Sequence, residues 1–282
     1  MADKKVETHR IDPRLLEGPV RMLVVGCGGT GAAFASGLPN LHHSMVALGH
    51  PGGLEVTLAD GDQVTDANRG RTPFTEHHIG RNKAEVLITG INRFWGLNWR
   101  VHPRYITSDD KLDFDIVVGC MDNRAGRRMI AASTRRAAKV RYWLDAGNGP
   151  AFGQVVLGQP ARGQKDPLRL PTVDELLSDT VRLGPEDNGP SCSVREALTK
   201  QAPFINHLLA YHMLFLLAQI FSRGEITHHG AFVAAEIGLV QPIPVDPKQW
   251  AAMRGGPAEV AGGTRPVRGR TRPAPPAVPL AA

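Results

Sequence analysis

Four glycines, Gly26, Gly28, Gly29 and Gly31, follow directly on the apolar run Met22 to Val25. Glycine lets a backbone bend sharply and lets a ligand come close to it. The first amides of a helix after such a turn attract phosphate. Downstream, Asp60 stands at the end of a second alternating stretch, residues 54–58. Open α/β sheets place an acid there for ribose hydroxyls, although a turn or cap aspartate would look the same. Asn68, Arg71 and Lys83 come next, in a polar stretch that opens at Gly61. Two cations and an amide suit a polyphosphate better than a nicotinamide. Asp122 follows the apolar run 114–120, at a strand end on the same side of the sheet as Asp60. A carboxylate beside phosphates holds magnesium through one or two oxygens. The same residue would also serve as the cap of the helix that follows.

Such residues converge only if short buried strands end side by side. The pattern predicts an α/β fold, Rossmann-like, with a mostly parallel sheet and helices on both faces. Strands are expected at residues 22–25, 54–58, 99–105, 114–120, 141–145 and 153–157. Helices are expected from Thr30 to about Pro39 (or brokenly on to Met45), at 79–91 and at 123–138. Residues 159–191 are rich in Pro, Gly and charge and read as a long loop, with one short amphipathic piece at 173–177. The apolar stretch 194–221 reads as a helix serving as core or subunit interface. A hairpin at 226–245 completes the order. The resulting division is an arm at 1–19, one folded unit at 20–247 with the loop 159–192 inside it, and a basic tail at 248–282 expected to be disordered.

The 282 residues are 42% hydrophobic and 21% charged, as in an ordinary globular protein. The first ten residues lack an apolar signal core, and no run is read as crossing a bilayer, so a cytoplasmic protein without membrane partners is expected. Three cysteines, Cys27, Cys120 and Cys192, lie far apart with no CxxC pair. That speaks against a disulfide framework and a four-cysteine zinc site. His42, His43 and His50 have no carboxylate or cysteine at ligand spacing and read as loop histidines. The net charge is +6, of which the stretch from Arg254 onward carries +4 (five arginines against Glu259). Nucleic acid is therefore considered only through the tail, and no aromatic residue interleaves those arginines.

Taken in series, GCGGTG, then Asp60-Gly-Asp62 with Asn68-x-x-Arg71, then Ile79-Gly80-x-x-Lys83, then Cys120-Met-Asp122-Asn123, resemble the adenylating ThiF/MoeB family. That family includes the activating enzymes of ubiquitin-like proteins. The match spans roughly residues 20–160. The later Pro190-Ser-Cys-Ser and Gln201-Ala-Pro-Phe-Ile-Asn runs are most similar to the ThiF-family branch of the bacterial PRTRC plasmid-associated cassette.

The resemblance implies ATP and Mg2+ as the ligands. Gly26, Gly28, Gly29 and Gly31 would line ATP and Asp60 would hold the ribose. Asn68, Arg71 and Lys83 would grip the phosphates, and Asp122 would engage magnesium. Asp62 and Asn123 complete the nucleotide-binding set. It implies a small β-grasp partner, ubiquitin-like or sulfur-carrier, whose C-terminal carboxylate is adenylated. It also implies a homodimer, in which Arg10 or Arg14 of the arm could reach a partner's ATP. Some members pass the acyl group to a cysteine on a loop after the nucleotide domain, and Cys192 is so placed. Helix-start amides and Arg195 would favour its thiolate, while a buried structural cysteine is the plainer reading. Arg71 is followed by Thr72 where the family pattern has glutamine, and the family's zinc cysteines are missing. Two other readings remain: an NAD-dependent oxidoreductase, which leaves Arg71 and Lys83 idle, and a non-catalytic scaffold for a ubiquitin-like partner.

Overall fold

Met22, Leu23 and Val24 are essentially inaccessible to solvent, as a strand covered on both faces requires. They lie in β2 (Val20–Val25), near the middle of an eight-stranded sheet in the computed structural model, which describes residues 7–163, 166–181, 202 and 204–254. Around β2 run β3 (Leu54–Ala59), β4 (Arg100–His102), β5 (Ile116–Gly119), β6 (Tyr142–Asn148), β7 (Phe152–Gly158), β9 (His228–Ala234) and β10 (Leu239–Pro244). The order is β10-β9-β7-β6-β5-β2-β3-β4. Strands β6, β5, β2, β3 and β4 are mutually parallel, and β7, β9 and β10 extend the sheet antiparallel. Two small strands, β1 (His9–Arg10) and β8 (Glu225–Ile226), pair apart from it. The β10 edge carries Pro242 and Pro244, which cannot extend a ladder.

From β2 the chain passes through α1 (Gly29–Ala47) to β3 and through α2 (Lys83–Trp95) to β4, always in one direction. It then returns to β5 and goes the other way, through α3 (Arg124–Arg136) to β6. Right-handed crossovers therefore put α1 and α2 on one face and α3 on the other. The direction reverses between β2 and β5, and a crevice opens there at the carboxyl ends of the strands.

Several element bounds differ from the sequence expectation, each for a local reason. α1 does not stop near Pro39 but runs through it to Ala47. The missing amide bond is tolerated because Pro39 is itself buried and α1 packs along α5 (Ile205–Arg223), where Gly37 meets Leu214. α2 starts at Lys83 rather than at residue 79, because Gly80 has φ +84° and Asn82 caps the helix. β4 is only three residues long, and Trp99, before it, instead donates its indole N–H to the Leu54 carbonyl. In the long loop, α4 (Val173–Leu176) is stabilised by a Thr172–Glu175 capping box and buries Leu170, Val173 and Leu176. The structured chain also continues past Lys248: α6 (Pro247–Arg254) buries Trp250, whose indole donates to the Pro244 carbonyl.

α5 is, by length and composition, apolar enough to cross a membrane, contrary to the expectation that no run is. In this fold one side of it packs on α1 and the sheet, while Leu208, Tyr211 and Phe215 remain exposed. The helix expected from residue 194 is described only from Ile205. The N-terminal arm is held by Tyr142, whose hydroxyl contacts His9 Nε2 at 2.8 Å and accepts from the Asp12 amide at 3.1 Å.

Candidate functional site

The crevice at the reversal point collects nearly all the polar residues singled out in the sequence. Gly26, Gly28, Gly29, Asp60, Asp62, Asn68, Arg71, Lys83, Asp122 and Asn123 all line it. The glycine turn forms its floor. Gly26 has φ +94°, and a Cβ there would sit 2.8 Å from the Cys120 carbonyl oxygen. Gly31 lies behind the turn and does not line the crevice. A Cβ on it would be 1.8 Å from the Gly26 carbonyl oxygen, so its role is to let α1 close onto the turn. No side chain caps α1, whose N-cap is Gly28. Its first amides therefore face the crevice as donors for an anion.

Asp60 anchors one side. Its Oδ2 accepts from the Cys27 amide at 2.5 Å and its Oδ1 from the Asp62 amide at 2.7 Å. Each carboxylate oxygen keeps a second acceptor position. Burial raises the Asp60 pKa, against the pull of those two amides and of Lys83. Lys83 is the first residue of α2, so the helix fixes its backbone. Its Nζ lies 2.8 Å from Asp62 Oδ2. Asp62 also accepts from the Tyr105 hydroxyl. Burial raises the Asp62 carboxyl, but hydrogen bonds from Lys83 and then Tyr105 bring it below its ordinary value. The same bond pushes Tyr105 up to about 12. Asn82 ties this corner together, capping α2 with its oxygen and donating to the Asp60 carbonyl at 2.8 Å.

Asn68 is buried and its Oδ1 accepts from the Thr65 amide at 2.8 Å, closing a one-turn capping box. Arg71 follows on the same turn, its amide donating to the Asn68 carbonyl at 3.1 Å. Asp122 is exposed at the lip. The cap of α3 is Asn123, which accepts from the Gly126 amide at 2.7 Å, so Asp122 is not the cap.

Behind the lip, Arg127 and Asp145 form a buried pair, Nε to Oδ1 at 3.0 Å. Arg127 Nη2 also donates to the carbonyls of Met121 at 2.7 Å and Ala146 at 3.0 Å. Met121 and Ala146 both line the crevice, so this pair sets the position of the segment that carries Asp122. Desolvation pushes the thiols of Cys27 and Cys120 well up, away from the thiolate form that a nucleophile needs. Cys192 lies outside the described residues. Arg10 and Arg14 do not line the crevice of their own chain. Arg14 is held by Asp12 at 2.6 Å, and Arg10 stands exposed beside Glu225.

Sequence reasoning missed Tyr105, Asn148 and Asn206, which also line the crevice. The sequence marks Asn206 only as the end of the Gln201–Asn206 run and as an amide at the start of an otherwise apolar helix, with no role attached.

The ThiF family model matches residues 17–237. No curated protein matches the chain. Among solved structures the chain is similar to PaaA, with 12% identity over 80% of this chain and 64% of that one, at a TM-score of 0.55. It is similar to E. coli MccB, with 15% identity over 90% of this chain and 67% of that one, TM-score 0.52. It is also similar to E. coli MccB with MccA-N7isoASN, 15% identical over 80% of this chain and 64% of that one, TM-score 0.51. The likeness is one of fold, and the chain spans about two thirds of the length of these proteins.

Proposed function

The chain belongs to the ThiF family, and from that premise we propose that it adenylates a carboxylate at the expense of ATP. The observation that carries the proposal is the crevice wall in which Arg71 and Lys83 face an uncapped helix start and Asp60. Asp60 suits a ribose. The amides of the glycine turn, with Lys83, Arg71 and Asn68, suit a triphosphate. That cationic wall suits a triphosphate better than the single diphosphate of a nicotinamide dinucleotide, which the glycine turn alone would hold.

The residues also fit magnesium. Among the described residues no group of three or more His, Cys, Asp or Glu could form a metal cage. Asp122 alone at the lip matches an ion held by one carboxylate, phosphate oxygens and water. When bound, it would supply positive charge to the phosphate oxygens. The protein's own part is to hold the α-phosphate over the glycine turn. An oxygen of the substrate carboxylate forms a bond to the α-phosphorus. The bond to the bridging oxygen breaks, and pyrophosphate leaves with the electron pair toward Arg71 and Lys83.

For the substrate we infer the C-terminal carboxylate of a small β-grasp partner, ubiquitin-like or a sulfur carrier, as in the PRTRC branch the sequence resembles. E. coli MccB, which shares the fold, was solved together with MccA-N7isoASN. A cytoplasmic homodimer belongs to the same reading, with the exposed apolar side of α5 as the surface a second copy would cover. The arm's Arg10 or Arg14 would act at the partner's nucleotide. Thioester transfer to Cys192 is the second step of this scheme.

Two experiments test it. Calorimetry should show binding of ATP with Mg2+ and none of NAD; the reverse would move the chain to oxidoreductases. A reaction run without reductant should give a carrier adduct that Cys192→Ala abolishes. An adduct that survives this change removes Cys192 from the scheme.

A further inference from the structure

The wall of the crevice farthest from Lys83 in the strand order is built from amides and a hydroxyl. Thr30 Oγ1 donates to Asn206 Oδ1 at 2.9 Å, and Asn148 Nδ2 donates to the same oxygen at 3.2 Å. Asn206 Nδ2 lies at the glycine turn, where a Cβ on Gly29 would be 2.5 Å from it. Thr30, Asn148, Asn206 and Gly29 all line the crevice, and Asn206 is only 4% exposed.

The chain accepts strain to hold Asn206 there. Phe204, two residues before it, has φ +67°, the one positive φ outside glycine among the described residues. A bulky side chain in that conformation costs free energy, and such outliers gather at functional sites. The Ala202 amide donates to the Pro150 carbonyl at 2.6 Å, which ties the start of α5 to the β6–β7 turn beside Asn148.

The strand order says which end of a substrate this wall meets. Arg71 and Lys83 follow β3, whereas Asn148 ends β6, with β2 and β5 between them. Three strand spacings, about 14 Å, separate the ends of β3 and β6. Displacement at phosphorus keeps the entering and leaving oxygens roughly in line. In the adenylation reading, on which this inference rests, pyrophosphate leaves on the Lys83 side. The entering oxygen therefore arrives from the amide side. A neutral amide holds a carboxylate by hydrogen bonds without cancelling the charge that makes it a nucleophile.

We propose that Asn206, supported by Asn148 and Thr30, forms the acceptor subsite. Asn206 Nδ2 donates to one oxygen of the substrate's terminal carboxylate while the other oxygen bonds to the α-phosphorus. The same donor then holds the acyl carbonyl oxygen of the product. Asn206 thus acts on the acyl group, not on the nucleotide.

The test compares two stable probes, 5′-O-sulfamoyladenosine and its acetylglycyl derivative, which carries the acyl carbonyl. Calorimetry should show the wild-type chain binding the acyl compound about tenfold tighter, the worth of one hydrogen bond to a charged group. Asn206→Ala and Asn148→Ala should bring that ratio toward one, whatever they do to the part common to both probes. Asn206→Asp, of equal size, should do the same, and its thermal unfolding shows whether the fold is kept. Equal binding of the two probes by the wild-type chain, or a ratio unchanged in folded Asn206→Asp, would overturn the subsite alone. A wild-type chain that binds neither probe nor ATP would overturn the adenylation reading and the subsite with it.

Discussion

Lys83→Met should slow adenylate formation by about 10²–10³-fold, the usual cost of removing one preorganised group from developing charge. Methionine keeps the length and the apolar stem, so the start of α2 and its Asn82 cap persist. What is lost is the charge at Nζ. The Lys83–Asp62 pair is open to solvent on one side only: Asp62 is about half exposed (49%), whereas Lys83 is buried, so the charge left behind in the variant is the solvated one. Tyr105 also continues to donate to Asp62 in the variant. A large kinetic loss with a nearly unchanged melting temperature is therefore the expected pattern. Equal losses in rate and stability would make Lys83 a structural residue.

Arg127→Met should have the opposite balance, with stability falling first. Asp145 is wholly buried, and Arg127 is its partner at 3.0 Å. Removing one member of such a pair costs about 3–5 kcal/mol, because the remaining charge is left buried. That corresponds to a fall in Tm of roughly 10 °C for a domain of this size. The pH dependence has a definite sign. Burial pushes the Asp145 carboxyl up and Arg127 draws it back, leaving it at about 6. That lies above the value of about 3.9 for an exposed aspartate. The folded state therefore favours the proton, and this stabilising contribution is full below about pH 4 and lost as the pH rises through about 6. Without Arg127 the carboxyl rises further, so the deficit of the variant should widen from pH 5 to pH 8. Urea denaturation across that range measures it. A deficit independent of pH would mean that Asp145 is not the group left exposed to the change.

The parallel strands and the glycine turn were legible in the sequence because their signals are local: apolar runs, glycines and polar residues at the strand ends. Asp60 and Asp122 meet in one crevice because each follows directly on such a strand, and the polar segment after β3 brings Arg71 and Lys83 back to the same strand ends. Most of the misses have equally local causes, and one is long-range. Pro39 reads as a helix end or a break, but the helix runs through it, because packing against α5 outweighs one lost hydrogen bond. Asp122 and Asn123 are both good caps, and only the Gly126 amide shows which one is used. Gly31 reads as a phosphate-contact glycine but serves the closure of α1 on the turn. Asn206 could not be placed at all, since its partner Thr30 lies 176 positions away. Cys192 and the residues beyond Arg254 lie outside the described part of the chain.

The most direct measurement is the exchange of labelled pyrophosphate into ATP, with Mg2+ present, by the full-length chain and a purified β-grasp partner ending in a free carboxylate. Exchange should need the partner, disappear when the partner's C-terminus is amidated, and fall by about two orders of magnitude or more in Lys83→Met. A partner that binds the chain but supports no exchange at any ATP concentration would contradict the proposed adenylation.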